Sequence, residues 1–305
     1  MTAGAGATLA DLQRFLADHQ MQVPLRSPWP DATLGGIVAA NQNSPGRMRY
    51  GSIRDLLLCA TVAMADGRVI RAGRPVVKNV AGYDLPKLFV GSFGTLGLLT
   101  DLTFKLAPLP RERRTLCVPL AHRDQGIRLS RQVLALASAA SGILLADGVE
   151  IAGLAEAPHS LLYSAEGLAE DVAAELEQVG NRLRREGAPL VVEVETAADA
   201  IWSGFLGEAP QDQMLARTGV ATKSIGDYMQ ALSPSVNQQS RVLIDCASGL
   251  IYVKTSSPDR ESAKRWLDGL RQAALRLAAT PCCWLRRKRR SILSMFGAST
   301  PIPSN

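Results

Sequence analysis

Residues 78–110 read KNVAGYDLPKLFVGSFGTLGLLTDLTFKLAPLP, and the fold turns on how this stretch is understood. It opens on polar side chains, passes through a short helix-like segment, breaks at Gly91, Gly94 and Gly97, and then alternates as a strand from Leu98 to Leu106. Glycine has no Cβ, so a backbone with three of them at a spacing of three turns sharply and can lie flat against a ligand. The glycines alone describe an ordinary helix-to-strand turn equally well, since Gly is frequent in turns for reasons unrelated to ligands. A Rossmann fingerprint is excluded: that motif places G-x-G-x-x-G after a strand and opens a helix. Here G-x-x-G-x-x-G follows a helix and opens a strand, and no Walker A pattern occurs in the chain. A nucleotide cofactor, if bound, is held by another architecture.

Upstream, Thr8 is positioned to cap a helix running to about residue 18, with Leu9, Leu12, Phe15 and Leu16 on one face. Pro24, Pro28 and Pro30 interrupt regular structure before DATLGGIVAA, in which Gly35 and Gly36 precede a tightly packed helix start. Asn41, Gln42, Asn43, Ser44 and Gly46 then form a polar turn that reads either as a nest of backbone N–H groups for an anion or as a solvated loop. From residue 54 the pattern is a hairpin with its turn at Asp66 and Gly67. Lys78, Asn79 and Tyr83 lie on the connection into the opening stretch, where they serve either an electron-rich ring system or local backbone.

Downstream, PLP at 108–110 and the charged residues 111–114 mark a boundary. Beyond it the order strand, helix, strand, strand, helix, strand occurs twice. The first series contains LCVPL, a helix over about 124–139, GILLADGVEI, LLYSAE, a helix over about 167–185, and LVVEVET. The second contains MLARTGV, a helix near 224–232, RVLIDCA, LIYVKT, a helix over about 258–278, and CCWLR. Each series has the order of a ferredoxin-like unit, so two such units side by side are expected. The expected division is 1–110, 111–285, and an irregular basic tail over 286–305.

The 305 residues, 47% of them hydrophobic, suffice for two domains with proper cores. No apolar run is long enough for a membrane span and no signal sequence opens the chain, which reads as a cytoplasmic protein. Five cysteines without a C-x-x-C argue against a cysteine-ligated iron–sulfur cluster here. Three scattered histidines argue against a zinc site or a Ser-His-Asp triad, so no metal is expected. The net charge is +6, but residues 286–290 carry five of the 34 basic groups, leaving the rest at +1 against 28 acidic residues. That distribution argues against a nucleic-acid partner.

Three ordered segments, ATLGGIVAANQNSPGRMRYGSIRD, LLLCATVAMADGRVIRAG and KNVAGYDLPKLFVGSFGTLGLLTDLTFKLAP, resemble the flavin-binding domain of the vanillyl-alcohol-oxidase type. KNVAGYDL makes the chain most similar to the FAD-binding subunit of bacterial glycolate oxidase. The resemblance implies an α+β fold: a partial FAD-binding domain followed by an α+β domain of ferredoxin-like units. It implies FAD held between two subdomains, with Gly35, Gly36 and residues 41–46 on the diphosphate and flavin side. Gly94, Gly97, Leu98 and Leu99 are then expected along the adenine, and Lys78, Asn79 and Tyr83 near the isoalloxazine or substrate.

The implied activity is oxidation of a small 2-hydroxy acid, glycolate to glyoxylate. Electrons would pass to a second flavoprotein subunit and an iron–sulfur subunit, with the complex peripheral on the inner face of the membrane. The catalytic base is not assigned. The chain begins after the family's first glycine-rich subdomain and ends without its Asn-Pro-Gly segment, so weak FAD retention by the isolated chain is expected. A non-catalytic remnant that only docks on sister subunits is the alternative.

Overall fold

The computed structural model describes residues 1–76, 84–148, 154, 157–207, 213–232, 236, 240–256, 260–277, 280–285 and 293–295. Its amino-terminal module is a four-stranded antiparallel sheet in the order β1 (Thr2–Gly4), β5 (Leu98–Phe104), β3 (Leu57–Ala63), β4 (Val69–Gly73). β3 and β4 form the expected hairpin, with Gly67 at φ +86° in its turn. Strand β5 stops at Phe104, two residues short of the expected end, and Ala107–Pro108 (β6) instead pairs with Met21–Gln22 (β2). Helix α1 (Leu9–Ala17) starts where Thr8 accepts a hydrogen bond from the Asp11 N–H at 3.1 Å. Leu9, Leu12 and Leu16 enter the core, but Phe15 is exposed and meets the His19 ring. At about 100° per residue Phe15 falls roughly 60° outside the buried stripe.

Short helices line the same core: α2 (Leu34–Ala39), α3 (Arg47–Tyr50), α4 (Ile53–Leu56) and α5 (Pro86–Phe89). Leu34, Ile53, Leu56, Leu102 and Phe104 are its largest fully enclosed aliphatic and aromatic members. α2 is the expected small-residue helix, capped by Thr33.

The carboxy-terminal module is one nine-stranded sheet. Its first unit comprises β7 (Glu112–Leu120), α6 (Arg123–Leu134), β8 (Ala140–Asp147), β9 (His159–Gly167), α7 (Ala169–Arg185) and β10 (Val192–Val194). Its second comprises β11 (Gln213–Gly219), α9 (Ile225–Ala231), β12 (Ser240–Asp245), β13 (Leu250–Ser256), α10 (Arg260–Arg276) and β14 (Thr280–Leu285), with α8 (Ala198–Gly207) between the two units. The strands run β10-β7-β9-β8-β12-β13-β11-β14-β15, so each unit has the ferredoxin-like order and the two join where β8 pairs with β12. Residues 293–295, in the tail expected to be irregular, form β15 (Leu293–Met295) against β14. The basic run at 286–290 lies outside the described residues.

The four unit helices pack on one face of this sheet through residues such as Leu129, Val133, Val172, Val179, Tyr228 and Leu270. The opposite face is covered by α8, whose Ile201, Trp202, Phe205 and Leu206 meet Cys117, Leu144, Leu162, Leu243 and Tyr252. Every residue of β8 is therefore buried, in keeping with its GILLA run. α8 was absent from the two expected series.

At the end of β12, Asp245 is 1% exposed and accepts hydrogen bonds from the N–H groups of Ala247 and Ser248, both at 3.2 Å, and from the Ser248 hydroxyl. Burial pushes its carboxyl up to about 6, from an ordinary 3.8. A raised carboxyl binds its proton more tightly in the folded state, so its contribution is present below the unfolded value and lost as pH rises through 6. Asp245→Asn is expected to gain on the parent by about 2 to 3 kcal/mol between pH 4 and pH 7. Urea denaturation at a series of pH values checks this, and parallel pH profiles would contradict it.

Candidate functional site

The turn predicted to face a cofactor follows α2. Thr33 Oγ1 accepts the Gly36 N–H at 3.1 Å, and the Gly35 N–H donates to the Ala5 carbonyl at 2.8 Å. A Cβ on Gly35 would stand 3.0 Å from the Ala5 Cβ and 3.1 Å from its carbonyl oxygen. The missing side chain at Gly35 thus lets α2 approach the end of β1. Both glycine N–H groups are taken up by hydrogen bonds within the fold.

Free donors lie further along. Asn41 takes a left-handed conformation at φ +50°, which reverses the chain out of α2. Asn43 locks the turn: its Nδ2 donates to Asn41 Oδ1 at 2.7 Å, and its Oδ1 accepts the Ile53 N–H at 2.9 Å. Gln42, Asn43 and Ser44 are all buried, so the turn is not a solvated loop. Among the described residues the side chains of Gln42 and Ser44 have no hydrogen-bond partner, and neither do the N–H groups of Asn43, Ser44 and Gly46.

The glycine-rich stretch reaches this same place. Gly91 donates its N–H to the Val38 carbonyl at 3.0 Å and Phe93 donates to Ala39 at 2.9 Å, docking residues 91–93 on the carboxy-terminal end of α2. Phe93 is left-handed at φ +52°. A Cβ on Gly97 would stand 2.6 Å from the Val62 side chain, so Gly97 serves packing of β5 on β3. Gly94, at φ +75°, has open space beside it. Leu88, Phe93 and Leu96 are exposed and Leu98 is 71% exposed, whereas Leu99 turns into the core. The structure therefore joins the 41–46 turn to the 91–94 turn; Gly35, Gly36 and Gly97 belong to internal packing. Lys78, Asn79 and Tyr83 lie outside the described residues.

The 41–50 segment also docks on the carboxy-terminal module. A Cβ on Gly142 of β8 would stand 2.9 Å from the Ala198 Cβ and 3.2 Å from the Pro45 Cβ, which marks how closely the turn, β8 and α8 approach. Beside this contact is a small recess bounded by Arg26, Ser44, Tyr50, Ser141, Glu166 and Asp199, with Pro24 and Gly46 in its walls. Arg113 donates to Glu166 through Nε at 2.6 Å and to Asp199 at 3.3 Å, and Arg26 Nε reaches the same Asp199 oxygen at 3.1 Å. Glu166 is 3% exposed. Burial would lower the Arg113 guanidinium, but Asp199 and Glu166 outweigh it and hold the group above its ordinary value. Burial and the neighbouring Glu166 push the Tyr50 phenol up to about 12, so it is a neutral donor at physiological pH.

None of Arg26, Tyr50, Arg113, Glu166 and Asp199 was singled out by sequence reading. They are drawn from residues up to 173 positions apart, and a single sequence carries no signal for such a set. Among the described residues no cluster of three or more His, Cys, Asp or Glu side chains is placed to hold a metal ion. No helix among them is long and apolar enough to cross a membrane.

Residues 1–73 match the FAD binding domain family. D-lactate dehydrogenase of Archaeoglobus fulgidus is 33% identical over 138 residues, 44% of this chain and 31% of that protein. The glycolate oxidase subunit GlcE of Escherichia coli is 40% identical over 113 residues, 36% of this chain and 32% of that protein. The matched segments thus span about a third of these relatives' length. Alkyldihydroxyacetonephosphate synthase shares the fold, with a TM-score of 0.70 at 14% identity over 92% of this chain and 59% of that one. The chain thus matches the FAD binding domain family over residues 1–73, is similar over part of its length to glycolate oxidase subunits and D-lactate dehydrogenases, and shares its fold with alkyldihydroxyacetonephosphate synthase.

Proposed function

We propose that this chain is the FAD-binding subunit of an oxidoreductase that converts a 2-hydroxy acid, glycolate in the first instance, to the 2-oxo acid. Electrons then pass to a second flavoprotein and an iron–sulfur subunit. The observation that carries the reading is Gln42, whose amide has no protein partner among the described residues and keeps contact with solvent, so that it is open to a ligand. The free N–H groups of Asn43, Ser44 and Gly46 provide three more donors in the same turn, suited to diphosphate oxygens or to the polar edge of a flavin. Gly94 leaves room for a flat group, and Phe93, Leu96 and Leu98 offer it apolar contact. FAD, when bound, supplies the hydride acceptor. The protein's own groups hold it through the 41–46 turn and shield it by the packing of that turn on β8 and α8.

The test separates binding from folding. Gln42→Leu removes an amide that makes no internal hydrogen bond, so the variant is expected to be as stable as the parent. Its affinity for FAD is expected to fall about tenfold, equivalent to about 1.4 kcal/mol. Flavin fluorescence titration reads the affinity, and bleaching of the bound flavin by glycolate without oxygen reads the reaction. Unchanged FAD affinity in Gln42→Leu, or a parent protein that takes up no flavin, would overturn the assignment.

A further inference from the structure

Helix α3 joins the 41–46 turn to the carboxy-terminal module. Its backbone is bonded to the turn: the Arg47 N–H donates to the Ser44 carbonyl at 3.1 Å, Met48 to Pro45 at 3.2 Å, and Arg49 and Tyr50 both to Gly46 at 3.1 Å. The stretch that offers free donors at Asn43, Ser44 and Gly46 therefore cannot shift without carrying α3 with it. A helix of four residues is too short to hold itself in water. None of the four is fully buried, and none belongs to the amino-terminal core.

What fixes α3 comes from the other module. Arg49 Nη1 donates to the Ser138 carbonyl at 3.1 Å, and Gly167 leaves room for that guanidinium, since a Cβ there would stand 2.9 Å from its Nη2. The Tyr50 hydroxyl donates to Glu166, which Arg113 holds through two nitrogens, both at 2.6 Å. Met48 packs against the main core of the carboxy-terminal module, and Pro45 of the turn lies against Gly142 of β8. The turn belongs to one module and is held in place by the other.

We propose that the carboxy-terminal module sets the geometry of the 41–46 turn through α3, with Arg49 and Tyr50 as positioning residues that act on a ligand only through the turn. That this ligand is FAD rests on the function proposed above; the mechanical link does not. Coupling of this kind is reciprocal, so a ligand that fixes the turn also steadies Ser138 and Ala139.

Hydrogen exchange of the full chain without flavin reads the link directly, in the parent, Arg49→Met, Tyr50→Phe and Arg49→Lys, the last keeping a donor for the Ser138 carbonyl. Protection of the amides of residues 47–50 is expected to fall about tenfold in Arg49→Met, about threefold in Tyr50→Phe and less than about twofold in Arg49→Lys. Strand β3 of the same module is the control for global loosening and is expected to keep its protection. Fluorescence titration with FAD is expected to lose affinity in the same order, and FAD added to the parent to raise protection of the Ser138 and Ala139 amides. Unaltered protection of 47–50 in Arg49→Met, or an equal fall in β3, would overturn the proposal. Equal FAD affinity in the parent, Arg49→Met and Tyr50→Phe would also overturn it and leave the flavoprotein assignment standing. A parent that takes up no flavin, with the exchange pattern as expected, removes the flavoprotein assignment and supports the link.

Discussion

Arg113→Met is expected to cost about 3 to 5 kcal/mol, because it strips the positive partner from an almost wholly enclosed carboxylate. Glu166 is 3% exposed, and Arg113 reaches it with Nε and a terminal nitrogen, both at 2.6 Å. Methionine fills comparable volume with no charge, so the loss isolates the electrostatic contribution from cavity formation. The double variant Arg113→Met/Glu166→Gln is expected to recover most of it, since a buried pair replaced by neutral groups is often close to neutral in stability. Urea denaturation of the parent, both single variants and the double variant closes the cycle. A single variant within 1 kcal/mol of the parent, on the scale of an exposed pair, would show that Glu166 is not dependent on this partner. The change also loosens Asp199, whose Oδ2 is shared by Arg113 and by Arg26 of the other module.

Glu175→Ala is expected to be comparably damaging, at about 3 to 5 kcal/mol, for a different reason. Glu175 lies in α7, facing the core, and accepts from the Ser138 N–H at 2.9 Å, the Ala139 N–H at 2.6 Å and the Tyr163 hydroxyl at 2.8 Å. Burial would raise its carboxyl, but these donors and the Ser138 hydroxyl outweigh that and hold it below its ordinary value. A depressed carboxyl contributes stability that is present above the unfolded value and lost as pH falls through the folded one. The alanine variant should therefore lack part of the parent's acid-limb loss, a comparison that thermal melts from pH 6 down to pH 3 provide. An acid limb as steep as the parent's would count against the assignment. The consequence reaches the site: the Ser138 carbonyl receives Arg49 at 3.1 Å and the Ala139 carbonyl receives the Glu166 N–H at 3.0 Å. Glu175 thus steadies the loop on which one wall of the recess rests.

Much of the architecture was legible because its signals are local. Thr8 and Thr33 announce their helices by capping, Asp66 and Gly67 announce a hairpin, and the doubled order of strands and helices gives both ferredoxin-like units. α8 went unread although Ile201, Trp202, Phe205 and Leu206 have the spacing of one helical face, because it falls between the two series and outside their pattern. The site was legible only in part. Residues 41–46 look like a ligand turn from composition, but which of their groups the fold consumes depends on Ile37, Val38 and Ile53, which a sequence does not place. Gly35 and Gly97 show the same limit: absence of a side chain signals a close approach without saying whether to a ligand or to the protein itself. The Arg26, Arg113, Glu166 and Asp199 network is long-range throughout.

The join between β8 and β12 has a consequence for how the polypeptide survives outside its folded state. A ferredoxin-like unit standing alone would present its second strand as a bare border of unsatisfied amides, open to any extended chain nearby. Here each half closes the other's border through Leu144, Leu145 and Ala146 on one side and Leu243, Ile244 and Asp245 on the other. Neither half gains that protection until its sibling is formed, so a ribosome that has released only the first unit has also released its most adhesive strand.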